Sequence, residues 1–334
     1  MTETELRIVD GPTPGPHRAV PSTPPRAPRS ARRTTSIDAT RPDGLRGRLV
    51  VDVRGQDVVT NAAGAATVVD RVHVVVEMAD PWGAITSVTA HADGRALDDL
   101  VGVPIRGGYG RRLAEMLPDK AERRTLLYSA IEDLSAGVLV SGYSVLHAGL
   151  VDESYGTGEE RAAHQADICI GWATGNPLVE HLRHTGVTAC PMGPAAPTIE
   201  GDDPHGWHPM EPLGTYTVRR RRRLDVHATD DGLVVDSHFR DSCNRPDGEH
   251  IMHEYLVDTR IADDRVAAVT VDPRVLPWHE CPGAVASAQG VVGVPVDDIA
   301  VRARRELVGP STCTHLTSTL RCLADVTALT GLLP

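Results

Sequence analysis

A cysteine and a histidine lie two residues apart in the stretch STCTHL, at Cys313 and His315. Residues two apart on an α-helix point in nearly opposite directions, so these side chains share a ligand only if they precede the helix. In an extended conformation they lie on one side of the chain. A helix N-terminus also favours the thiolate, which is the nucleophilic and metal-binding form. The pair therefore indicates a metal or catalytic site, although most such pairs are structural.

Further ligand-type side chains occur in the same half of the chain. Cys281 lies at the start of the preceding helical region, and His250 and His253 lie where a strand should begin. Groups from a strand start and two helix starts can meet at one edge of a sheet, and such a Cys/His set suits Zn²⁺ or iron. The predicted metal ligands are Cys281, Cys313, His315 and one of His250 and His253.

Two carboxylates near these residues, Asp241 and Glu254, are candidate general bases. The chain contains no P-loop, no dinucleotide-binding glycine fingerprint, no G-x-S-x-G elbow and no H-E-x-x-H pair. Nucleotide hydrolysis, hydride transfer and the familiar hydrolase mechanisms therefore have no support from motifs.

An internal repeat predicts how the chain positions these residues. LVGVPIRGGYGRRLAEML begins at Leu100 and VVGVPVDDIAVRARRELV begins at Val291, and the tripeptide Asp-Gly-Leu occurs at 43–45 and again at 231–233. In the alignment of the two copies, Cys313 and His315 correspond to Glu122 and Arg124. The first copy thus has the scaffold without the ligands, and we expect one site for each chain.

Each copy places strands before helices. In the second copy, alternating and β-branched stretches predict strands near 220–228, 233–240, 251–261 and 265–272. Helices are predicted over 283–292, 295–308 and 315–329. The predicted fold is α+β, a tandem repeat of two similar domains, each an antiparallel sheet followed by helices on one face.

Composition sets the predicted domain limits. Residues 1–30 are rich in Pro, Ser and Arg and lack an apolar segment, which indicates a disordered tail. A degenerate, structural first repeat over 31–150 and a second repeat over 211–334 flank an insert, 151–210, that belongs to neither copy and is a candidate lid.

Charge and cysteine usage narrow the partners. A formal net charge of -11 argues against nucleic acid as a partner, and no apolar stretch is long enough to span a membrane. Six cysteines without a C-x-x-C pair favour a reduced, cytoplasmic protein. The arginine run 219–223 is the local exception. It is interpreted as an edge strand with solvated or Asp-paired arginines, with an anion site as the alternative.

The second half resembles a bacterial domain-of-unknown-function family with a cysteine-threonine-histidine-leucine signature near its C-terminus. The resemblance covers about residues 207–331 and is carried by RRRRLDV, HFRDS, HEYLVDTRI, VLPWHECPGAVASAQGVVGVP and STCTHLTSTLRCLADVTAL. It implies no established activity.

More distantly, residues 251–299 and the late Cys-x-His are similar in order to the iron–sulfur scaffold proteins of the IscU/NifU type. In that pattern Cys281 matches the middle ligand, Cys313 with His315 matches the late pair, and His250 falls near the early ligands. The early cysteine is absent here, and the late pair is spaced Cys-x-His where the family has adjacent His-Cys. The resemblance therefore implies that the site holds a single metal ion rather than an iron–sulfur cluster.

Together these features predict a metal-dependent enzyme that acts on a small-molecule substrate. The alternatives are a metal or iron–sulfur scaffold or carrier, and a metal-free binding or assembly module. The sequence gives no expectation for the oligomeric state.

Overall fold

The computed structural model describes residues 11–79, 83–90, 97–150 and 156–334. Its largest element is a sheet of eight antiparallel strands. The strands are β1 Ser30–Thr40, β2 Leu49–Thr60, β3 Ala66–Met78, β4 Ile85–Ala90, β5 Val218–Thr229, β6 Gly232–Arg245, β7 Gly248–Ala262 and β8 Arg265–Val275. Their order is β4-β3-β2-β1-β5-β6-β7-β8, so two four-stranded meanders meet through their first strands. The predicted α+β class is confirmed.

The four strands predicted in the second half correspond to β5 to β8. Short connections with turn residues explain why they form hairpins. Asp263 and Asp264 both have positive φ, 50° and 55°, between β7 and β8, as a two-residue type I′ turn requires. In the turn between β5 and β6, Gly232 has a φ of 125°, and a Cβ there would lie 2.1 Å from the Ile261 carbonyl oxygen. Only glycine therefore fits at the start of β6.

Ten short helices follow the strands. They are α1 Tyr109–Met116, α2 Pro118–Glu122, α3 Leu126–Glu132, α4 Leu134–Val140, α5 Gly142–His147, α6 Gly158–Gln165, α7 Pro177–Thr185, α8 Ile299–Glu306, α9 Thr314–Arg321 and α10 Val326–Thr330 in the described part of the chain. The helix predicted over 283–292 is a 3₁₀ segment over 281–291, where Pro282, Gly283 and Gly290 disfavour an α-helix. The helix predicted over 295–308 becomes a 3₁₀ turn followed by α8, and that over 315–329 divides into α9, a 3₁₀ turn and α10.

The helices cover one face of the sheet with aliphatic side chains. In the first half, Val53 and Val76 pack with Leu113 and Ile131 in one buried cluster. In the second half, a larger cluster joins strand residues such as Val226 to the α9 residues Leu316 and Leu320. Burial of these apolar side chains is the main stabilising term for both halves.

Irregular segments cover the other face. Residues 13–18 run beside the end of β8, with hydrogen bonds from the Arg18 backbone N–H to the Arg274 carbonyl and from the Leu276 N–H to the Pro16 carbonyl. Trp207, from the segment after α7, donates its indole N–H to Thr23. This differs from the tail expected over residues 1–30, because a proline-rich segment has few N–H groups to satisfy and can dock in extended form. The first ten residues lie outside the described ranges.

The arginine run lies in a central strand, so the edge-strand interpretation was wrong. β5 pairs with β1 on one side and with β6 on the other. All five arginines of 219–223 are buried, and alternate ones face opposite sides of the sheet. Arg219 pairs with Asp38 on the irregular side, whereas Arg220 pairs with Asp241 on the helical side. The expected pairing with acidic residues is confirmed.

Candidate metal centre

Three side chains from different elements meet beneath the N-terminus of α9. Asp241 on β6 lies opposite His253 on β7 in the strand register, so both project from the same face of the sheet. The first turn of α9 brings His315 over them. One donor atom from each of the three residues lies within 4.8 Å of the other two. We call Asp241, His253 and His315 the ligand group.

The distances within the ligand group are close to those of a metal site. The Asp241 Oδ2 atom lies 3.6 Å from His315 Nε2 and 3.8 Å from His253 Nδ1. The two imidazole rings stack with centroids 3.6 Å apart and planes inclined by 17°. Ligand atoms about 2.1 Å from a common ion lie roughly 3.0–3.5 Å apart, so each of the two Asp241 contacts would have to shorten by a few tenths of an ångström for an ion to bind.

Burial keeps both histidines neutral. Desolvation, with a smaller contribution from Arg220, lowers the pKa of His253 to about 3. Desolvation lowers the pKa of His315 well below its ordinary value, and His253 and the two arginines Arg220 and Arg222 add to the shift. Neutral imidazoles have a free nitrogen lone pair at pH 7, which is the form that binds a metal.

One polar atom of the ligand group lacks a partner. His253 Nδ1 is buried and has no hydrogen bond to any residue that the structure describes, since Asp241 at 3.8 Å is beyond hydrogen-bonding range. A buried polar atom left unsatisfied costs about 1–3 kcal/mol. A cation between His253 and Asp241 would satisfy it, so the residues present fit a bound metal ion.

Asp241 is also bound by an arginine. The Arg220 Nε and Nη2 atoms donate to the two carboxylate oxygens, each at 2.9 Å. Burial raises the pKa of Asp241, and the charge and hydrogen bonds of Arg220 oppose that shift. Each carboxylate oxygen accepts one of these hydrogen bonds and keeps a lone pair for a further ligand.

Cys313 lies beside the ligand group. It is the N-cap residue of α9, and its Sγ atom is 3.9 Å from His315 Nδ1. We expected both residues to precede the helix, but His315 is in its first turn, and the extended backbone of Cys313 turns the thiol towards the imidazole. Burial raises the pKa of the thiol, against the opposing effects of Tyr255 and of the N–H groups of Leu316 and His315.

Cys281 is close to Cys313 but lies outside the ligand group. It begins the 3₁₀ segment 281–291, and it is buried against the segment around Gly171, where an added Cβ would lie 3.2 Å from the sulfur. Burial raises the pKa of Cys281 well above its ordinary value, and Cys313 is the next largest cause. Cys169 adds to the same shift in the pKa of Cys281.

His250 points elsewhere. Its Nδ1 atom lies 3.2 Å from the Gly193 carbonyl oxygen, and its Nε2 atom lies 3.4 Å from Asp247. In the strand register His253 lies opposite Asp241 and His250 lies opposite Cys243, with a β-bulge between the two pairs, so His250 lies further along the strands. Of the two, the structure brings His253 into the ligand group.

Glu254 lies on the opposite face of the sheet from Asp241. It accepts hydrogen bonds from the Val20 N–H at 2.7 Å and from Arg240 Nε at 2.5 Å, and His238 Nε2 is 2.9 Å away. Adjacent strand residues face opposite sides, so Glu254 follows His253 in sequence without joining it. The two predicted general bases are therefore not brought together.

Arg220 and Asp133 also belong to the surroundings of the site, and neither was predicted to do so. Asp133 contacts Arg220 at 3.3 Å and Arg222 at 2.7 Å, and Tyr143 on α5 lies 5.8 Å from the His253 ring between centroids. The arginine run was a visible signal for Arg220. Asp133 and Tyr143 come from the first half of the chain and have no local pattern that connects them with the second.

Residues 218–329 match a family model described as "Protein of unknown function (DUF2889)". The matched segment runs from β5 into α10 and includes the entire ligand group, so the second half of the chain contains a domain of unknown function. Neither the curated proteins nor the solved structures yield a match. In the described ranges, no helix is sufficiently long and apolar to cross a membrane.

Proposed function

We propose that this chain binds one Zn²⁺ or Fe²⁺ ion through Asp241, His253 and His315, and that it is a cytoplasmic enzyme acting on a small molecule. The observation that carries the proposal is the buried pair of stacked, neutral histidines beside a carboxylate, with one imidazole nitrogen unsatisfied. Cys313 Sγ lies 3.9 Å from His315 Nδ1, on the other side of the ring from the Nε2 atom that faces Asp241.

The donor set supports these metals. Two imidazoles and one carboxylate suit Zn²⁺ and non-haem Fe²⁺, and three protein ligands leave positions for water or substrate. A metal there supplies Lewis-acid chemistry, such as polarising a carbonyl or activating water. The pKa values of both histidines are strongly shifted, as is common at functional sites.

Substrate access is proposed to depend on the 151–210 insert. The Ile170 N–H donates to the Thr312 carbonyl at 2.8 Å, and Gly171 packs against Cys281. Two cavities, of about 30 and 240 Å³, are lined by residues outside the ligand group. Movement of the segment around Ile170 would open a path from the Cys313 side, as lids do in many enzymes.

Metal content is the deciding measurement. Elemental analysis of anaerobically purified protein, before and after incubation with Zn²⁺ or Fe²⁺, should give about one ion for each chain. His253→Ala and His315→Ala should reduce the content to background. His250→Ala is the matched control, because His250 lies on the same strand outside the ligand group, and it should retain the ion. Wild-type protein without metal after incubation would contradict the proposal.

A metal or iron–sulfur carrier is the second candidate function. The contacts of the segment around Cys169 with Cys281 and with Thr312, beside Cys313, favour it, as does the resemblance in order to the IscU/NifU-type scaffold proteins. An oxygen-labile brown chromophore that disappears in Cys281→Ser would support this candidate. A stable colourless ion that survives the same substitution would support the enzyme.

We further propose that the two halves are a tandem repeat whose second copy carries the site. The support is the recurrence of V-G-V-P and Asp-Gly-Leu in sequence, together with the two four-stranded meanders that meet through β1 and β5. Each meander is followed by helices on the same face of the sheet.

A further inference from the structure

Four charged side chains form a chain that connects the first half of the molecule to the ligand group. Arg220 binds Asp241 through two hydrogen bonds of 2.9 Å. Asp133, at the junction of α3 and α4, lies 3.3 Å from Arg220 and receives hydrogen bonds of 2.7 and 3.2 Å from Arg222. The formal charges of the four side chains sum to zero.

The two arginines are an obstacle to a bound cation. Arg220 and Arg222 lie over the Phe239 ring, at 5.0 and 4.7 Å from its centroid, and both are almost entirely buried. Like charges repel strongly where water is excluded. Asp241 alone cannot balance both guanidinium groups, and it must keep a lone pair free to act as a ligand.

We propose that Asp133 is a positioning residue of the metal centre. Asp133 neutralises the charge of Arg222 and, together with Asp241, that of Arg220, so that Asp241 can accept a cation. The inference rests on the proposed function, since it presumes the metal ion. By this inference the first half of the chain contributes a residue to the metal centre, although all three members of the ligand group come from the second half.

The local geometry supports this role. The Asp133 carboxylate is 12% exposed and accepts a further hydrogen bond, 3.2 Å, from the Ser318 hydroxyl on α9. Ser318 is one helical turn from His315, so Asp133 fixes both the arginine and the helix that carries a ligand. Partners of this kind typically change metal affinity by about 10- to 100-fold when they are removed.

The test is a Co²⁺ titration of the full chain followed by visible absorption. Asp133→Asn should weaken Co²⁺ binding by about 10- to 100-fold and alter the ligand-field bands. Asp57→Asn is the matched control, because Asp57 is also buried, at 4% exposed, and makes a two-point pair with an arginine, Arg33, at 2.8 Å for both contacts, rather than with Arg220 or Arg222. The control should leave the Co²⁺ affinity and spectrum unchanged.

A double variant shows whether Asp133→Asn weakens Co²⁺ binding through the lost charge or through a folding defect. Asp133→Asn combined with Arg222→Gln removes one negative and one positive charge and should restore most of the affinity lost in Asp133→Asn. The inference is overturned if wild type binds Co²⁺ and Asp133→Asn binds it equally well, or if the double variant binds as weakly as the single one. Failure of the proposed function is a different result, in which wild type itself binds no metal.

Discussion

At the residue scale, the pairing of Arg220 with Asp241 is both a stability feature and a constraint on the site. The two side chains are 2% and 0% exposed and make two direct hydrogen bonds. Such a pair contributes little net stability over a well-packed apolar pair, but removal of one partner leaves an uncompensated buried charge.

We therefore expect Arg220→Met to destabilise the fold by about 3–5 kcal/mol. Urea denaturation followed by far-UV circular dichroism measures the change. Arg302, whose pairing with Glu306 is on the surface, is the control, and Arg302→Met should change the free energy of unfolding by less than about 1 kcal/mol. Equal effects of both substitutions would contradict this account of the pair.

His208 makes stability depend on pH. Its ring is buried on the irregular side of the sheet, with Nδ1 2.9 Å from the Thr34 hydroxyl and Nε2 2.8 Å from the Ser36 hydroxyl. Burial, followed by nearby arginines, lowers its pKa to about 3. The neutral form is required in the fold, so this stability is present above the unfolded pKa of about 6.5 and is lost as the pH falls.

The free energy of unfolding should thus fall by up to about 1.4 kcal/mol for each pH unit below 6.5 because of His208. His208→Gln should make the decline between pH 6.5 and 4 shallower, and substitution of the exposed His184 should not. Urea denaturation at several pH values measures the slope. An unchanged slope in His208→Gln would show that His208 is not buried in the neutral form.

At the element scale, the strands were predictable and their environments were not. Alternating side chains and Asp/Gly turns indicated β5 to β8 directly, because both signals are local. The bulge on β7 interrupts the alternation between His250 and His253, so the sequence left open which of them belongs to the site. The arginines of β5 suggested an edge strand because their acidic partners are distant in sequence.

Gly193 allows the backbone of the segment before β5 to lie directly against the start of β7. The Ile251 N–H donates to the Pro194 carbonyl at 3.0 Å, and the Ala196 N–H donates to the Glu249 carbonyl at 2.8 Å. A Cβ on Gly193 would lie 1.7 Å from the Ile251 carbonyl oxygen, so the backbone has to move if any side chain is added.

Gly193→Ala should release this segment and destabilise the fold by about 1–3 kcal/mol. Amide hydrogen exchange at Ala195, Ala196 and residues 249–251 should become faster. Gly214→Ala is the control in the same connection, because its Cβ would meet only the Thr217 hydroxyl at 3.4 Å. Protection of residues 249–251 that is equal in both variants would contradict the proposed role of Gly193.

At the scale of the whole molecule, the two meanders share one sheet and several buried charges. β1 pairs with β5 along ten residues, from Ser30 opposite His227 to Ala39 opposite Val218. Ion pairs also cross between the halves, including Arg124 with Asp325 at 2.6 Å and Arg219 with Asp38 at 2.5 Å. The sequence contains no local signal for this pairing of β1 with β5, because each half has its own complete pattern of strands and helices.

A fragment over 211–334 includes all of the matched segment 218–329. It tests whether the second half folds without the β1–β5 pairing and the ion pairs to the first half. Without the first half, β5 becomes an exposed edge, and Arg219 and Arg222 lose Asp38 and Asp133. Unpaired backbone groups on an edge strand promote aggregation, and buried charges without partners are strongly destabilising. We expect the fragment to be unfolded or aggregated at a pH and temperature where the full chain is folded.

Circular dichroism and analytical ultracentrifugation measure that outcome, and mixing with a fragment over 1–210 should restore cooperative unfolding. The complementary fragment matters because it supplies β1 and Asp133 together. A fragment over 211–334 that is monomeric, unfolds cooperatively and binds Co²⁺ as tightly as the full chain would show that the second half is independent of the first. It would also remove the basis for a role of Asp133 in the metal centre, so the same fragment tests the sheet and the site.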